Sequence, residues 1–553
     1  MELDLDLLTN SKIDSIIELV EKKYNKDFIY LINNLGEVKK IFPTKIRIKR
    51  FKNIFAGIGM NDIAVTEIEN SNFGRVTALI PGNIVLQINR GLLWGEDEDE
   101  DEDEDILFFS MYINDTFKNI CPKSGVCIAL GQYTKQIYNY FLGFTNFNLV
   151  SKSPKAIGSP SVNGFVYQIS YERDGYKAKS VLKSSRLDRA DNLLYEYLAG
   201  QYINKQCSVF PCFIQTYGFF KYRTDELWEK MSNRDGRISP TELIEGIIKG
   251  KDELQPIRLK QQQPCFSDKK NKRTQRICTP EESLLGFACT NSKYLAILIE
   301  HVKGKTLQWM MAENREFSTN DLLYVLYQVY MPLSTLADEY THYDLHLSNV
   351  LVYELDDGKY INYKYVYRDG SIVEFKSKYI AKIIDYGRSY FNDSKNNNVS
   401  GSSKKIYDNI CKNVGECDFV QESHVCGENY GFATLGKNTS SVMSSVRNIS
   451  HDLLLLKKVK TQVIINSTTG ITLKYPEFRD MLKKVNPSDT GNVEKIKSEL
   501  GKIENIFDAH NELKKLVIDN TLNNTNNYRE FKPLGSLNIY QSGLPMIFIR
   551  NGM

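Results

Sequence analysis

The stretch Asp321–Tyr340, DLLYVLYQVYMPLSTLADEY, is apolar at helical spacing along almost its whole length and runs directly into a polar segment, THYDLHLSNVLVYEL. The first predicts a long helix that other elements must cover. The second places His342, Asp344, His346 and Asn349 in the loop at its end. A strand over Asn349–Tyr353 then leads away, a hairpin follows, and a second apolar run, Tyr379–Ile384, returns with Asp385, Tyr386 and Gly387 behind it. This order sets Asp344, Asn349 and Asp385 beside one another. An amide and a carboxylate are oxygen donors suited to Mg²⁺, which keeps positions for phosphate and water. The other carboxylate, Asp344, is left to accept a hydroxyl proton or orient a nucleophile. Phosphoryl transfer needs this combination of charge neutralisation and positioning.

The rest of the chain bounds the reading. Its 553 residues are enough for two to four domains, and a 42% hydrophobic composition suits a chain with a core. The net charge is +3, but ten acids form one run, Glu96–Asp105; the other 58 acids against 71 bases leave the remainder at +13. That balance is compatible with acidic partners and does not indicate nucleic acid. No stretch of about 18 uncharged apolar residues is present, so no spanning helix is expected. The opening, MELDLDLLTNSKIDS, has no apolar core of a secretory signal. Ten scattered cysteines do not make a disulfide framework, which fits a reducing compartment: intracellular, cytoplasmic or within a virus particle.

Residues 1–150 read as a separate α/β unit, with a helix over Ser11–Tyr24, strands at Lys45–Phe51 and Asn83–Arg90, and the acidic run as a solvated loop. From Ser151 the texture changes. Ala156–Ile169 holds a glycine-containing turn between two strand-like runs; a strand Lys179–Ser185 and a helix Asp191–Asn204 follow, then a strand-like run Phe213–Tyr222. Residues 224–292 are polar and read as an insertion with one or two helices. Lys293–Val302 is a continuously apolar strand. The asparagine-rich Asn520–Tyr528 reads as a disordered loop.

HYDLHLSN resembles the catalytic-loop pattern H-R-D-L-x-x-x-N of eukaryotic-type protein kinases, and DYG resembles their D-F-G. Similar loops occur in divergent kinases of large DNA viruses. The resemblance covers residues 150–460 and implies a fold and a set of roles. The fold is α+β: a two-lobed kinase-like architecture, small lobe 151–302, large lobe 303–520, a C-terminal extension 521–553 and the accessory unit at 1–150. Asp344 would be the catalytic base, Asn349 and Asp385 the Mg²⁺ ligands, and His342 a support for the loop. Lys183 would steady the ATP phosphates with Glu196 as its partner, and Lys179 is a local competitor for that place. Gly158, Gly164 and Val166 would border the phosphate loop. Ile299 would be gatekeeper-like, with Glu300–Val302 offering backbone groups to adenine, and Asp452 would brace the catalytic loop. ATP and Mg²⁺ are the implied cofactors and a protein hydroxyl the implied acceptor.

The departures from the pattern bear on activity and control. The phosphate loop has two glycines and carries Pro160, which has no N–H to offer a phosphate. Tyr343 stands where the family has an arginine that pairs with a phosphorylated activation loop, and His346 stands where a lysine is usual. The segment after Gly387 is long. It holds Cys411, Cys417, His424 and Cys426, a loose zinc-like spacing, and the serines Ser400, Ser402 and Ser403 as candidate phosphorylation sites. Two other readings stay open: a pseudokinase scaffold, motivated by the degenerate phosphate loop, and a small-molecule kinase of the aminoglycoside or choline type, motivated by DLHLSN. Oligomeric state is not readable from the sequence.

Overall fold

The apolar run folds as the helix Leu322–Thr335, with Leu322 through Ser334 all buried. It stops short of Tyr340, at a point where the Ser334 and Thr335 hydroxyls turn back onto the Met331 carbonyl. The structure, a computed structural model, describes residues 130–158, 164–186, 192–249, 294–396, 401–407, 444–465, 473–487 and 501–550, less Gln132, Asp174 and Asp357. It also describes the backbone of strands between residues 29 and 89 and between 265 and 276. Helices and sheets are both extensive, an α+β architecture.

Among residues 29–89 the backbone forms a five-stranded antiparallel sheet, in the order Val38–Phe42, Ile29–Ile32, Ile84–Asn89, Phe73–Ile80, Ala64–Asn70. The expected strand at Asn83–Arg90 is present as Ile84–Asn89. The expected helix Ser11–Tyr24, the strand Lys45–Phe51, the acidic run and the cysteine cluster at 411–426 lie outside the described residues.

A second, six-stranded antiparallel sheet runs Ile247–Lys249, Thr216–Tyr222, Leu295–Glu300, Tyr176–Ser185, Gly164–Arg173, Val150–Ile157. Side chains alternate across it. Phe165, Tyr167, Leu182, Ala296 and Leu298 enter one core cluster, whereas Leu295 and Ile297 enter another with the helix Asn192–Gln206. The first face is capped by Phe141, Phe144 and Phe147 and by Leu227, Met231 and Leu243.

Residues 137–149 share a core with the strands that follow, so the packing of this sheet draws on residues before 150. The side chains of residues 250–292 lie outside the described residues; the helices expected within 224–292 are present as Asp225–Asn233 and Pro240–Gly246 and pack on this sheet, to which the strand Ile247–Lys249 adds an edge. Their apolar residues are few but evenly spaced, and a capping box between Ser239 and Glu242 starts the second helix.

The main core gathers around the helix Leu322–Thr335. The strands Val350–Glu354 and Tyr379–Ile383 pair antiparallel against it. The buried Gln328 amide joins helix to strand, donating to the Tyr379 carbonyl and accepting from the Ala381 N–H. Between those strands lies the hairpin Lys359–Val366/Ile372–Ser377, which forms a four-stranded sheet with Lys532–Tyr540 and Ile547–Arg550. Residues 532–550 are therefore part of this body, not an extension from it. Asn520–Tyr528 is also ordered, as the helix Thr521–Asn527. The Asn524 amide accepts from the Lys376 N–H and donates to the Lys376 carbonyl, as a neighbouring strand would. Side-chain amides doing backbone work explain order in so polar a sequence.

Candidate active site

The antiparallel register places the site. Val350 lies opposite Ile383, so Asn349, one residue before the first strand, and Asp385, just beyond the second, emerge at the same end of the ladder. The Ile384 N–H donates to the Asn349 carbonyl at 3.0 Å and holds the two loops together. Asn349 is almost fully buried, and its Nδ2 donates to the Asp344 carbonyl at 2.9 Å.

His342 is completely buried between the two loops. Its Nε2 meets the Ile384 carbonyl at 3.0 Å, and its Nδ1 accepts the Asp344 N–H at 3.2 Å. The proton therefore belongs on Nε2, and the imidazole fixes the backbone before Asp385 and at Asp344 together. Asp452, also buried, accepts from the His342 and Tyr343 N–H groups at 2.8 and 3.0 Å. Burial pushes its carboxyl above the usual range, against these N–H donors and His342. Tyr343 and Asp385 both adopt positive φ, +63° and +68°, in a loop cross-braced on both sides. Such backbone is costly for residues with a Cβ and is found at functional sites.

The other sheet completes the site. Lys183 lies opposite Val166 on one side and Ile297 on the other, with its side chain on the face turned from the aromatic cap. Gly164 allows the hairpin to close: a Cβ there would stand 2.3 Å from the Ser184 carbonyl oxygen. Gly158, at φ +63°, turns the chain out of the preceding strand. Lys183 Nζ meets Glu196 Oε2 at 2.6 Å and Asp385 Oδ1 at 3.1 Å. Burial works against the Lys183 ammonium, but the Asp385 and Glu196 carboxylates outweigh it and raise its pKa. Lys183 in turn holds the Asp385 carboxyl below its usual range. The result is one charge cluster joining a consecutive strand and helix to a loop 202 residues beyond Lys183. Lys179, the other lysine of this strand, is paired in register with Ser170.

His346 sits 3.8 Å from the Asp344 carboxylate and accepts the Ser348 N–H. Glu300, expected to offer backbone groups, is tied into the sheet. Its N–H is committed to the Gln215 carbonyl, and its carboxylate accepts the Gln215 N–H and pairs with Lys382 at 3.3 Å. Only its carbonyl can therefore offer an edge to a ligand. Val302 and Ile299 are partly buried against the main core.

Of the candidate phosphorylation sites, Ser402 and Ser403 are buried and Ser400 lies outside the described residues. Ser403 is bonded to Tyr195 and to the Phe391 N–H. No local pattern announces the Lys382–Glu300 pair or the parts played by Tyr195 and Ser403, because each partner lies more than eighty residues away. Of the ten cysteines, Cys207 and Cys212 are described, as buried free thiols that burial makes hard to ionise.

Among the described residues no three His, Cys, Asp or Glu side chains cluster as a metal site, and no helix is long and apolar enough to cross a membrane. No protein-family model and no curated protein matches this chain.

Proposed function

We propose that the chain is an ATP- and Mg²⁺-dependent phosphotransferase with a two-lobed, protein kinase-like fold, moving the γ-phosphoryl group to a serine or threonine hydroxyl of a protein. The observation that carries the reading is the Lys183 ammonium held between Glu196 at 2.6 Å and Asp385 at 3.1 Å. A cation fixed by two carboxylates, one from a helix and one from the loop beyond a strand, is a means of fixing a polyphosphate, and a scaffold has no need of it.

The donors fit Mg²⁺. Commitment of Asn349 Nδ2 to the Asp344 carbonyl leaves the carboxamide oxygen as the ligating atom, and Asp385 is held ionised. One amide and one carboxylate oxygen are a sufficient protein share for this ion, which takes the rest from phosphate and water. The bound ion would neutralise phosphate charge. Asp344 would accept the hydroxyl proton, His342 would hold Asp344 and the approach to Asp385 in place, and Lys183 would hold the α and β phosphates.

Labelled ATP with Mg²⁺, offered alongside casein and a set of small amino alcohols, tests the reading. Label is expected on protein. Asp385→Ala should reduce transfer at least about 100-fold while leaving the chain folded. Label on the alcohols alone would move the assignment to a small-molecule kinase. Neither transfer nor a thermal shift with Mg-ATP would leave the scaffold reading.

A further inference from the structure

Glu196 can pair with Lys183 only if the helix Asn192–Gln206 is held in place; Gln201 and Asn204 tie its far end to Thr216 of the sheet, and a second set of contacts, beginning beside Glu196, comes from the segment just after Asp385. The Tyr195 hydroxyl, next to Glu196, donates to the Ser389 carbonyl and meets Ser403 Oγ at 2.7 Å. Ser403 Oγ also accepts the Phe391 N–H at 2.8 Å. One direction of donation satisfies the chain: Phe391 N–H to Ser403, Ser403 O–H to Tyr195, Tyr195 O–H to Ser389. Tyr195, Ser389, Phe391 and Ser403 are all buried.

Two turns along the helix, the Tyr202 ring stacks on Phe391 at 5.3 Å, and beyond it Lys205 pairs with Asp393. Asp393 itself closes the segment through its N–H to the Gly401 carbonyl at 2.7 Å. On the other side, Tyr343 stands at the position that would otherwise offer a cation to a phosphate. It is buried, with its hydroxyl on the Val446 carbonyl at 2.7 Å and its ring 4.7 Å from His451.

We infer that the Tyr195–Ser403–Ser389 chain is a built-in latch that keeps Glu196 on Lys183, so that the site is assembled without phosphorylation of the segment following Asp385. Tyr195 and Ser403 are positioning residues that act through Glu196. The inference rests on the proposed phosphotransferase activity. A neutral hydrogen-bonded chain in a dry environment takes the part of a phosphate–arginine pair. A phosphate at Ser403 would place charge into that buried site and release the helix.

The test uses full-length protein made with a co-expressed phosphatase, shown phosphate-free by mass spectrometry, and assayed for initial-rate transfer from Mg-ATP to casein. The phosphate-free protein is expected to match untreated protein within about twofold. Tyr195→Phe should lower kcat/KM for ATP about tenfold or more, and Ser403→Asp should abolish transfer. In a Glu196→Gln background, Tyr195→Phe should cause no further loss, whereas a merely structural role would cut the residual rate equally in both backgrounds. Activity that appears only after phosphorylation, or a Tyr195→Phe rate equal to wild type, overturns the latch and leaves the phosphotransferase reading intact. Absence of transfer and of Mg-ATP binding in both preparations overturns both.

Discussion

Asp321 is a carboxyl that the proposed chemistry does not use. It is buried at the start of the helix Leu322–Thr335 and accepts the Tyr528 hydroxyl at 2.6 Å. Burial raises its pKa to about 7; the Tyr528 bond and Lys378 oppose that, and Glu316 and Glu354 add to it. Between about pH 4 and pH 7 the folded state thus keeps a proton that the unfolded chain has released, so stability falls as pH rises through that window and levels off above it. Asp321→Asn keeps the acceptor and removes the charge. It is expected to raise the unfolding free energy at pH 8 by at least about 1 kcal/mol, with little change at pH 4. Urea titrations at several pH values measure this, and an unchanged slope between pH 4 and 7 would contradict it. The central site was far more legible than Asp321. Asp344, Asn349 and Asp385 are polar residues at the ends of apolar runs, and a two-strand ladder leaves such ends nowhere to go but together. The Lys382–Glu300 ion pair was not legible, because nothing local to either residue announces a partner 82 residues away.

Elements were legible in proportion to their apolar periodicity. The helix Leu322–Thr335 and the strands at 295–300 and 379–383 declare themselves, whereas Thr521–Asn527 has almost no apolar residues and was read as a loop. Its order comes from Asn524, whose amide completes the edge of the strand Ile372–Ser377 through Lys376. Asn524→Ala would leave that partly buried N–H and carbonyl unpaired, at a cost of about 2 kcal/mol. Denaturant unfolding together with amide exchange at Lys376 checks this; an unprotected Lys376 amide in the parent protein would remove the basis for it. The helices at 225–246 show the opposite case. Their polar surface is real, but the alternate positions Leu227, Met231 and Leu243 cover a sheet face that a two-layer reading leaves open to water.

At the scale of the molecule, the least legible feature is the return of residues 532–550. Lys532–Tyr540 runs parallel to Lys359–Val366, and parallel partners far apart in sequence carry no signature of each other. The same segment reaches the helices that flank the other sheet: the Met546 N–H donates to the Ser208 carbonyl at 2.8 Å, just beyond the helix Asn192–Gln206, and Phe548 packs edge-on to Tyr133 in the helix Tyr133–Tyr140. Removing residues 531–553 would strip Leu537, Ile539, Met546 and Phe548 from the main core and expose the edge of the strand Lys359–Val366. The shortened chain is expected to lose soluble yield and to be cleaved by dilute protease under conditions that leave the parent intact. A shortened chain with the parent's melting temperature would contradict the assignment of this segment to the core.

The partner strands 359–366 and 532–540 also set a timetable. On the ribosome, the first must wait for some 170 further residues to be translated before its neighbour exists, with Tyr363 and Tyr365 lacking cover meanwhile. A nascent chain in that condition offers an open, aromatic-rich strand margin to any other chain nearby. Slow, chilled expression or added chaperone should therefore decide how much of this protein is recovered, whatever the stability of the finished product.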